Sequence, residues 1–366
     1  MPVYADPIDG LAVPAGLLQA WTAGLVERLD TPSDIAVDVA DVLVASDRRG
    51  IASHGTARLP NYVALIRAGV MDPAARPVVD GGRPALTRFD ARNGWGHHAG
   101  RVAVDSAIAA ARELGMAAST VRNTNHYGIA GWYALRAARD GMIGISLSNT
   151  SPLVAPTRAR QPLIGTNPIG LAAPAGRFGA FCLDMATSTI PRGRIEVAAR
   201  RGEILPVGWA IDAEGRPATT PEAALAGALH PLGGEEGTGG YKGYGLALAV
   251  DLLTGVLAGS AFGPNILGLF STEGPSDLGQ TFIVIDPAAV DAPGAFEGRL
   301  VGYLEQLVAA PTVPGAPGRV LVPGEPEAAA ERRSDDRGIV LDAVHAERLV
   351  ELGKRYDIPF PATSPG

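Results

Sequence analysis

Hydrophobic periodicity divides the chain into helical ends and a strand-rich middle. Apolar residues recur at three- and four-residue spacing over positions 14–50 and again after about Gly298, which predicts helices at both ends. Between them the pattern predicts a hairpin (76–96), an Ala-rich helix (99–115), a strand with a polar loop (116–128), a second helix (130–141) and a strand (142–150). Short strands with Gly and Pro turns follow from Gln161 to Met185, and "QTFIVIDP" is a later strand. The pattern is typical of an α/β (α+β) protein.

The most apolar segment runs from Tyr244 to Phe270. Asp251 interrupts it, and Gly263-Pro264-Asn265 breaks it. A membrane span needs about 20 unbroken apolar residues. We therefore expect a buried helix followed by a loop, and no membrane association.

A further helix is predicted from Thr56 to Ala68, with Pro60 in its first turn. His54, Arg58 and Tyr62 are spaced four residues apart, and Ser53 precedes them. On a helix this spacing places an imidazole, a guanidinium and a phenol on one face. Because a core needs no such polar chemistry, the segment is predicted to be functional.

Charge and cysteine content narrow the function classes. The net charge of −7 over 366 residues, without a Lys/Arg block, argues against nucleic-acid binding. An anionic substrate would need a local basic pocket. The single cysteine, Cys182, cannot form an internal disulfide, and "MPVYADPIDG" has no signal-peptide features, so a cytoplasmic location is expected.

The segment "GWGHHAG" (Gly94 to Gly100) nearly matches the dinucleotide fingerprint, but its last glycine comes one residue too late. A tight turn before a helix is therefore expected instead of a Rossmann phosphate loop. His97-His98 has no accompanying Cys/His cluster, so no metal site is predicted.

Other polar segments each have a functional and a structural interpretation. His126 lies in a loop before a helix, where backbone N–H groups attract anions, or it caps that helix. Thr166 and Asn167 lie in a turn, and Asp184 with Arg192 follows a strand. The Gly-rich loop around Lys242 is not a Walker A motif, but it suits a diphosphate.

The motifs are more informative together. "ASHGTARLPNY", "NTNHYG", "GTNP", "DMATS", "GWAIDAEGRPATT", "GGYKGYGLALAVDLLTGVLAG" and "VLVPGE" occur in this order. They resemble the type-2 malate/L-lactate dehydrogenase family, which includes sulfolactate and ureidoglycolate dehydrogenases and Δ1-piperideine-2-carboxylate reductases. The resemblance covers nearly the whole chain. It implies a non-Rossmann, sulfolactate-dehydrogenase-like homodimer with a helical domain (1–75 with 298–366) and a mixed-sheet cofactor-binding domain (76–297).

The resemblance also implies residue roles. His54 would be the proton donor with Ser53 assisting it, Arg58 would hold the substrate carboxylate, and Tyr62 would line the same face. Thr166, Arg192 and Gly193 match substrate-contacting positions, and the cofactor-contacting stretches match His126, Tyr127, Gly128, Thr150, Asp184, Met185, Ala186, Lys242 and the Pro323-Gly324-Glu325 turn. In some members the histidine matching His126 has the acid–base role, so both assignments stay open.

The predicted function is NAD(P)-dependent hydride transfer between nicotinamide and C2 of a small 2-oxo or 2-hydroxy acid. A histidine with a pKa near 6.5 suits proton transfer in either direction. The cofactor is NADP or NAD. Arg158 or Arg160 could lie near a 2′-phosphate, which favours NADP slightly, or in a solvated basic loop.

Three alternatives remain at the level of sequence. The chain could reduce cyclic 2-imino acids, although Arg194 stands where the imine reductases, as aligned, have a charge-relaying Asp. It could bind a nucleotide without catalysis, which the intact Ser53-His54-Arg58 set argues against. It could be a hydrolase using Ser53, His54 and Asp184, but adjacent Ser and His give poor nucleophile–base geometry.

Overall fold

The computed structural model describes residues 10–361. Residues 1–9, on which the expectation of no signal peptide rests, lie outside this range. The strands are β1 (Gly10–Val13), β2 (Val78–Arg83), β3 (Leu86–Asp90), β4 (Met116–Thr124), β5 (Ile143–Ser148), β6 (Ile169–Pro174), β7 (Ala180–Met185), β8 (Ala210–Ile211), β9 (Ala228–Leu229), β10 (Leu278–Ile285) and β11 (Ile339–Asp342). The α-helices are α1 (Ala15–Glu27), α2 (Ser33–Arg48), α3 (Leu59–Arg67), α4 (Gly96–Leu114), α5 (Ala130–Arg139), α6 (Arg192–Arg201), α7 (Pro221–Ala226), α8 (Gly240–Asp251), α9 (Ala295–Val308), α10 (Glu325–Arg337) and α11 (Ala343–Arg355).

A seven-stranded mixed sheet forms the centre of the described chain, in the order β2-β3-β4-β10-β5-β6-β7. Only the β3–β4 pair within it is parallel, because α4 makes the crossover between these strands. Successive residues of β10 show what covers each face: the Gln280 side chain donates to the Gly96 carbonyl of α4, and Thr281 donates to the Leu253 carbonyl beyond α8. The predicted mixed sheet with helices is confirmed.

Both ends of the chain contribute to a second hydrophobic core. Leu18, Leu25, Leu43, Leu59 and Leu349, from α1, α2, the start of α3 and α11, are fully buried there. The ends are not purely helical, however, because β1 pairs antiparallel with β11. Val42 of α2 packs instead against the core beneath α4 and α5, so this helix joins the helical layer to the sheet.

The predicted helix from Thr56 to Ala68 is shorter than expected. The segment before α3 forms two 3₁₀ turns, Ala52–His54 and Thr56–Arg58, joined at Gly55. Pro60 lies in the first turn of α3, where its missing N–H costs nothing. His54 and Arg58 are therefore not on a helix face, and only Tyr62 is on the helix itself.

The prediction of a buried apolar helix is wrong for one side of α8. This helix continues as a π-helical turn (Leu252–Val256), and Leu248, Leu252 and Val256 are exposed. Within the described residues no helix is both long and apolar enough to cross a membrane.

The glycines of "GWGHHAG" serve close packing. A Cβ on Gly96 would lie 2.0 Å from the carbonyl oxygen of Asn125, and one on Gly100 would lie 2.7 Å from the Tyr133 ring. The expected turn before a helix is therefore present. As a result His97, in the first turn of α4, lies inside the protein.

Candidate functional site

Four polar side chains from two segments of the chain meet where the helical layer contacts the sheet. The ring centroids of His54 and His126 are 5.6 Å apart. His126 lies in the loop between β4 and α5, and its Nδ1 is 2.7 Å from the Tyr62 hydroxyl of α3. Arg58 completes the group, and it is near enough to His54 for its charge to lower the pKa of that histidine. The structure thus brings His126 to the residues of the "SHGTARLPNY" segment, although over 60 positions of sequence lie between them.

Each of the two imidazoles uses Nδ1 for a hydroxyl group. Ser53 Oγ lies 2.9 Å from Nδ1 of His54, and the Tyr62 hydroxyl takes the same position at His126. In the described residues neither histidine has a hydrogen-bond partner at Nε2. Both rings can therefore offer Nε2 to a bound molecule.

Arg58 is held by one nitrogen. Its Nε donates to the carbonyl oxygen of Ser53 at 2.5 Å, and its guanidinium carbon lies 5.5 Å from the centroid of the Phe270 ring. Within residues 10–361 its two terminal nitrogens make no hydrogen bond to protein. They are free to hold a carboxylate by two parallel hydrogen bonds.

Burial and positive charge disfavour protonation of these histidines. Burial, together with the Arg58 charge, lowers the pKa of His54 to about 4. Burial lowers the pKa of His126 well below its usual value, and nearby His54, His97 and Arg58 act in the same direction. The site as folded is therefore suited to an anion, which would offset the Arg58 charge.

A buried polar chain fixes the two 3₁₀ turns. The Asp47 carboxyl, at the end of α2, accepts from the Thr56 backbone N–H at 2.9 Å and from its hydroxyl at 2.6 Å. The same hydroxyl lies 3.1 Å from Nε2 of His345 in α11. A Cβ on Gly55 would collide with Asp47 Oδ1. Short 3₁₀ turns have little stability of their own, so these contacts from α2 and α11 hold the segment that carries His54.

Replacing Thr56 by valine is expected to lower the free energy of unfolding by about 1.5–3 kcal/mol, because the buried Asp47 carboxyl loses a hydrogen-bond donor. Denaturant unfolding measures the change. Thr22→Val is the matched control, since the buried Thr22 hydroxyl has no partner in the described chain. Equal losses in the two variants would contradict the assignment.

Asp184 connects the candidate cofactor residues. It ends β7 and accepts from the backbone N–H of Gly131 at 2.8 Å, so the start of α5 is already occupied by a protein carboxylate. Burial raises its pKa to about 6, despite that hydrogen bond. The neighbouring Cys182 N–H donates to the Pro323 carbonyl at 2.9 Å, and Gly324 packs against Cys182. The "DMA" and "PGE" motifs are therefore adjacent.

Two further predicted residues pair through hydroxyls. The side-chain oxygens of Thr150 and Thr166 are 3.4 Å apart, and the Thr166 N–H donates to Thr150 Oγ1 at 3.0 Å. Thr150 follows β5 and Thr166 precedes β6, so the pair joins the two ends of the segment between these strands. Tyr127 and Gly128 follow His126 in its loop, where the Tyr127 hydroxyl lies 3.2 Å from Ser146 Oγ.

Other predicted residues lie at the surface without a contact to the histidines. Arg192, next to Gly193 at the start of α6, pairs with Glu196. Lys242 is exposed in the first turn of α8. Arg158 pairs with Glu236, which leaves Arg160 as the freer candidate for a 2′-phosphate. Glu325 at the start of α10 pairs with Arg319.

Sequence reasoning missed two residues of the site. His97 is fully buried beside Tyr62, and Phe270 packs against Tyr62, Arg58 and His126. The available sequence signal for His97 was its position between Gly96 and Gly100 at the start of a predicted helix. Phe270 offered none, because it ends the long apolar segment. Among residues 10–361, no group of three or more His, Cys, Asp or Glu side chains is placed to hold a metal ion.

Comparison with known proteins places this geometry in a family. The family model described as malate/L-lactate dehydrogenase matches residues 13–350. The chain belongs to this family.

Family members cover more than one substrate class. A malate dehydrogenase of Pyrococcus abyssi is 40% identical over 306 residues, covering 83% of each chain. A Δ1-pyrroline-2-carboxylate reductase of Ancylobacter novellus is 37% identical over 305 residues, 83% of this chain and 86% of the relative. The structure of malate dehydrogenase from Pyrococcus horikoshii OT3 matches with a TM-score of 0.90 and 35% identity, over 98% of this chain and 99% of that one. The chain is accordingly an oxidoreductase of the malate/L-lactate dehydrogenase family.

Proposed function

We propose that this oxidoreductase transfers hydride between a nicotinamide cofactor and C2 of a small 2-oxo or 2-hydroxy acid. The observation that carries the proposal concerns residues 10–361: two imidazoles whose Nε2 atoms have no partner there lie near an arginine whose terminal nitrogens have none. A 2-oxo acid has the matching groups, a carbonyl oxygen that gains a proton and an adjacent carboxylate.

In this proposal His54 supplies the proton. As the C2 oxygen becomes negative during reduction, Nε2 of His54 donates to it, and Ser53 holds the ring through Nδ1. The pKa of His54, about 4 in the folded chain, is too low for a proton donor at neutral pH. Burial is the larger cause of the low value and the Arg58 charge the smaller one. A substrate carboxylate bound to Arg58 places a negative charge near His54, so substrate binding shifts the pKa of His54 upward.

Arg58 orients the substrate. Its terminal nitrogens bind the carboxylate, while the Nε bond to Ser53 and the Phe270 ring keep the guanidinium plane fixed. Tyr62 lines the same face. Orientation of this kind removes much of the entropic barrier, because C2 is presented in one pose.

The described residues fit a nicotinamide dinucleotide. Asp184 Oδ2 is bound to Gly131, so Oδ1 can accept from a ribose hydroxyl. The Thr150–Thr166 hydroxyls, the Gly128 loop, the Gly324 turn and the exposed Lys242 offer donors to phosphate and amide groups. When bound, the cofactor supplies the hydride. NADP and NAD both fit; the preference for NADP rests on Arg160, because Arg158 is paired with Glu236.

A second candidate substrate is a cyclic 2-imino acid, because a relative with that activity is 37% identical. Arg194 argues against it for this chain. The family resemblance implies a relaying carboxylate at this position in the imine reductases, and this chain has a cation there. The Arg194 guanidinium carbon lies 5.5 Å from the Trp209 ring centroid.

One assay separates the candidates. Oxidation of NADH and of NADPH is followed at 340 nm with oxaloacetate, pyruvate, sulfopyruvate and Δ1-piperideine-2-carboxylate. We expect turnover of a linear oxo acid. Turnover of the cyclic imine alone would replace the proposal by the reductase. Cofactor binding without any turnover would indicate a more specialised substrate or a family member that has lost its chemistry.

We also propose that the protein is a homodimer. Leu248, Leu252 and Val256 form an exposed stripe at four-residue spacing along α8 and its π-helical continuation. Contiguous apolar surface on a soluble protein usually marks an interface.

The single thiol, Cys182, is buried and suits a reducing compartment such as the cytoplasm.

Replacing Leu252 by glutamate is expected to convert the dimer into monomers, because a charge would be buried at the interface. Sedimentation velocity measures the change. Val290→Glu is the control, since Val290 is 85% exposed and belongs neither to α8 nor to its π-helical continuation. A monomeric wild-type protein at micromolar concentration would contradict the proposal.

A further inference from the structure

His97 is a buried histidine for which the proposed mechanism has no role. Its side chain is fully buried in the first turn of α4. Its Nε2 lies 3.4 Å from the Tyr62 hydroxyl, and that hydroxyl lies 2.7 Å from Nδ1 of His126. One phenol therefore sits between two imidazoles, which form a chain from the interior of the protein to the site.

The single proton of the Tyr62 hydroxyl determines the tautomer of His126. Tyr62 has one proton and can donate to only one of its neighbours. Burial raises the pKa of Tyr62, so the hydroxyl keeps its proton. The shorter contact identifies Nδ1 of His126 as the acceptor. The proton of neutral His126 is consequently on Nε2, the nitrogen without a protein partner.

The unpaired Nδ1 of His97 determines the tautomer of that histidine. Nδ1 of His97 is buried and has no hydrogen-bond partner among the described residues. An unpaired N–H in the interior is rarer and less favourable than an unpaired acceptor. The proton of neutral His97 is therefore on Nε2, where it can be donated to the Tyr62 oxygen.

We propose that His97 is a positioning residue that acts through Tyr62 to keep His126 neutral, with its proton on Nε2. His126 then serves as a hydrogen-bond donor to the substrate oxygen, and His54 is the group that gains and loses the proton. This inference rests on the proposed function, in that both histidines are taken to face the substrate.

The hydrogen bonds that link His97, Tyr62 and His126 leave no acceptor for an additional proton. If Nδ1 of His126 became protonated, it would face the Tyr62 oxygen, and either the Tyr62 proton or the His97 Nε2 proton would lose its acceptor in the interior. The other titratable and charged groups facing His126 are His54 and Arg58, and neither compensates a new positive charge. Phe270 completes the surroundings with a ring that does not titrate.

His54 has no such restriction. Its Nδ1 partner is the hydroxyl of Ser53, which is exposed and can rotate to donate or to accept. His54 can therefore hold a proton on both nitrogens when an anion is bound, whereas His126 cannot. The two imidazoles, although similarly placed, differ in what lies behind Nδ1.

The test compares His97→Gln with His97→Met in protein labelled with ¹⁵N-histidine. Glutamine keeps an N–H donor toward Tyr62, and methionine has a similar length without one. We expect His126, assigned by its loss in His126→Asn, to show the neutral Nε2–H pattern in the wild type and in His97→Gln. In His97→Met the Tyr62 oxygen is free to accept, so His126 should become protonated at a higher pH than it does in the wild type and in His97→Gln.

Several outcomes would overturn the inference: a proton on Nδ1 of His126 in the wild type, titration of wild-type His126 above about pH 6, or identical titration in the Gln and Met variants. The wild-type spectrum decides even if a variant fails to fold. His98→Gln is the control, because His98 pairs with Asp38 and should not affect His126. Since the spectra require no turnover, failure to find a substrate would count against the proposed function and not against this inference.

Discussion

Replacing His54 by alanine is expected to lower kcat at least 100-fold, because loss of a positioned general acid typically costs a factor of about 10²–10⁴. Nε2 of His54 is unengaged in the described protein, and Ser53 holds the ring at Nδ1. In the proposed arrangement the hydrogen bond from Tyr62 occupies Nδ1 of His126, so we expect that His126 does not replace the lost acid. Steady-state turnover with the best oxo acid of the panel measures the effect.

Cofactor binding is the control for His54→Ala. The candidate cofactor residues lie on β7, α5 and the Gly324 turn, so quenching of nicotinamide fluorescence should give an unchanged Kd. His126→Asn is the comparison, because an asparagine amide keeps a hydrogen-bond donor and should cost less than the loss of His54. Near-normal turnover of His54→Ala with inactive His126→Asn would move the acid–base role to His126.

Replacing Arg58 by lysine is expected to raise KM for the oxo acid roughly 10- to 100-fold, which corresponds to the loss of about 1.5–3 kcal/mol of charge-assisted hydrogen bonding. Lysine retains the charge but lacks the planar fork that binds a carboxylate twice. It also loses the Nε bond to the Ser53 carbonyl, so its position would be less fixed. The KM for the cofactor should not change.

Arg67→Lys is the matched control for Arg58. Arg67 ends α3, donates to the Tyr356 hydroxyl at 3.1 Å and lies over that ring, so it resembles Arg58 in chemistry but not in location. Its replacement should leave both KM values unchanged. An unaltered KM for the oxo acid in Arg58→Lys would remove Arg58 from the substrate site.

Local patterns predicted most elements of the sheet region. The hairpin of β2 and β3, the helices α4 and α5, and the strands β4, β5 and β10 follow from apolar periodicity and from Gly or Pro punctuation. The helix α10 was not predicted, because its sequence "EPEAAAERRSDDR" is almost wholly polar and follows a Pro/Gly-rich stretch. Strands β1 and β11 were missed because each is four residues long and exists only by pairing with the other end of the chain.

The sequence predicted only some of the residues that form the site. Four-residue spacing selected His54, Arg58 and Tyr62, but for a helix face that does not exist at His54 and Arg58. These side chains converge because Asp47, Thr56 and His345 hold the 3₁₀ turns. Such long-range contacts leave no periodic signal.

The sequence by itself determined the family, the order of most elements and the chemical groups available for catalysis. It could do so because local propensities and the order of the motifs depend only on residues near one another in sequence. Only the tertiary structure decided which groups meet. It placed His126 against Tyr62, buried His97 behind them, and left an apolar stripe of α8 uncovered. Burial, hydrogen-bond partners and tautomers depend on neighbours far away in sequence, and folding alone brings those neighbours together.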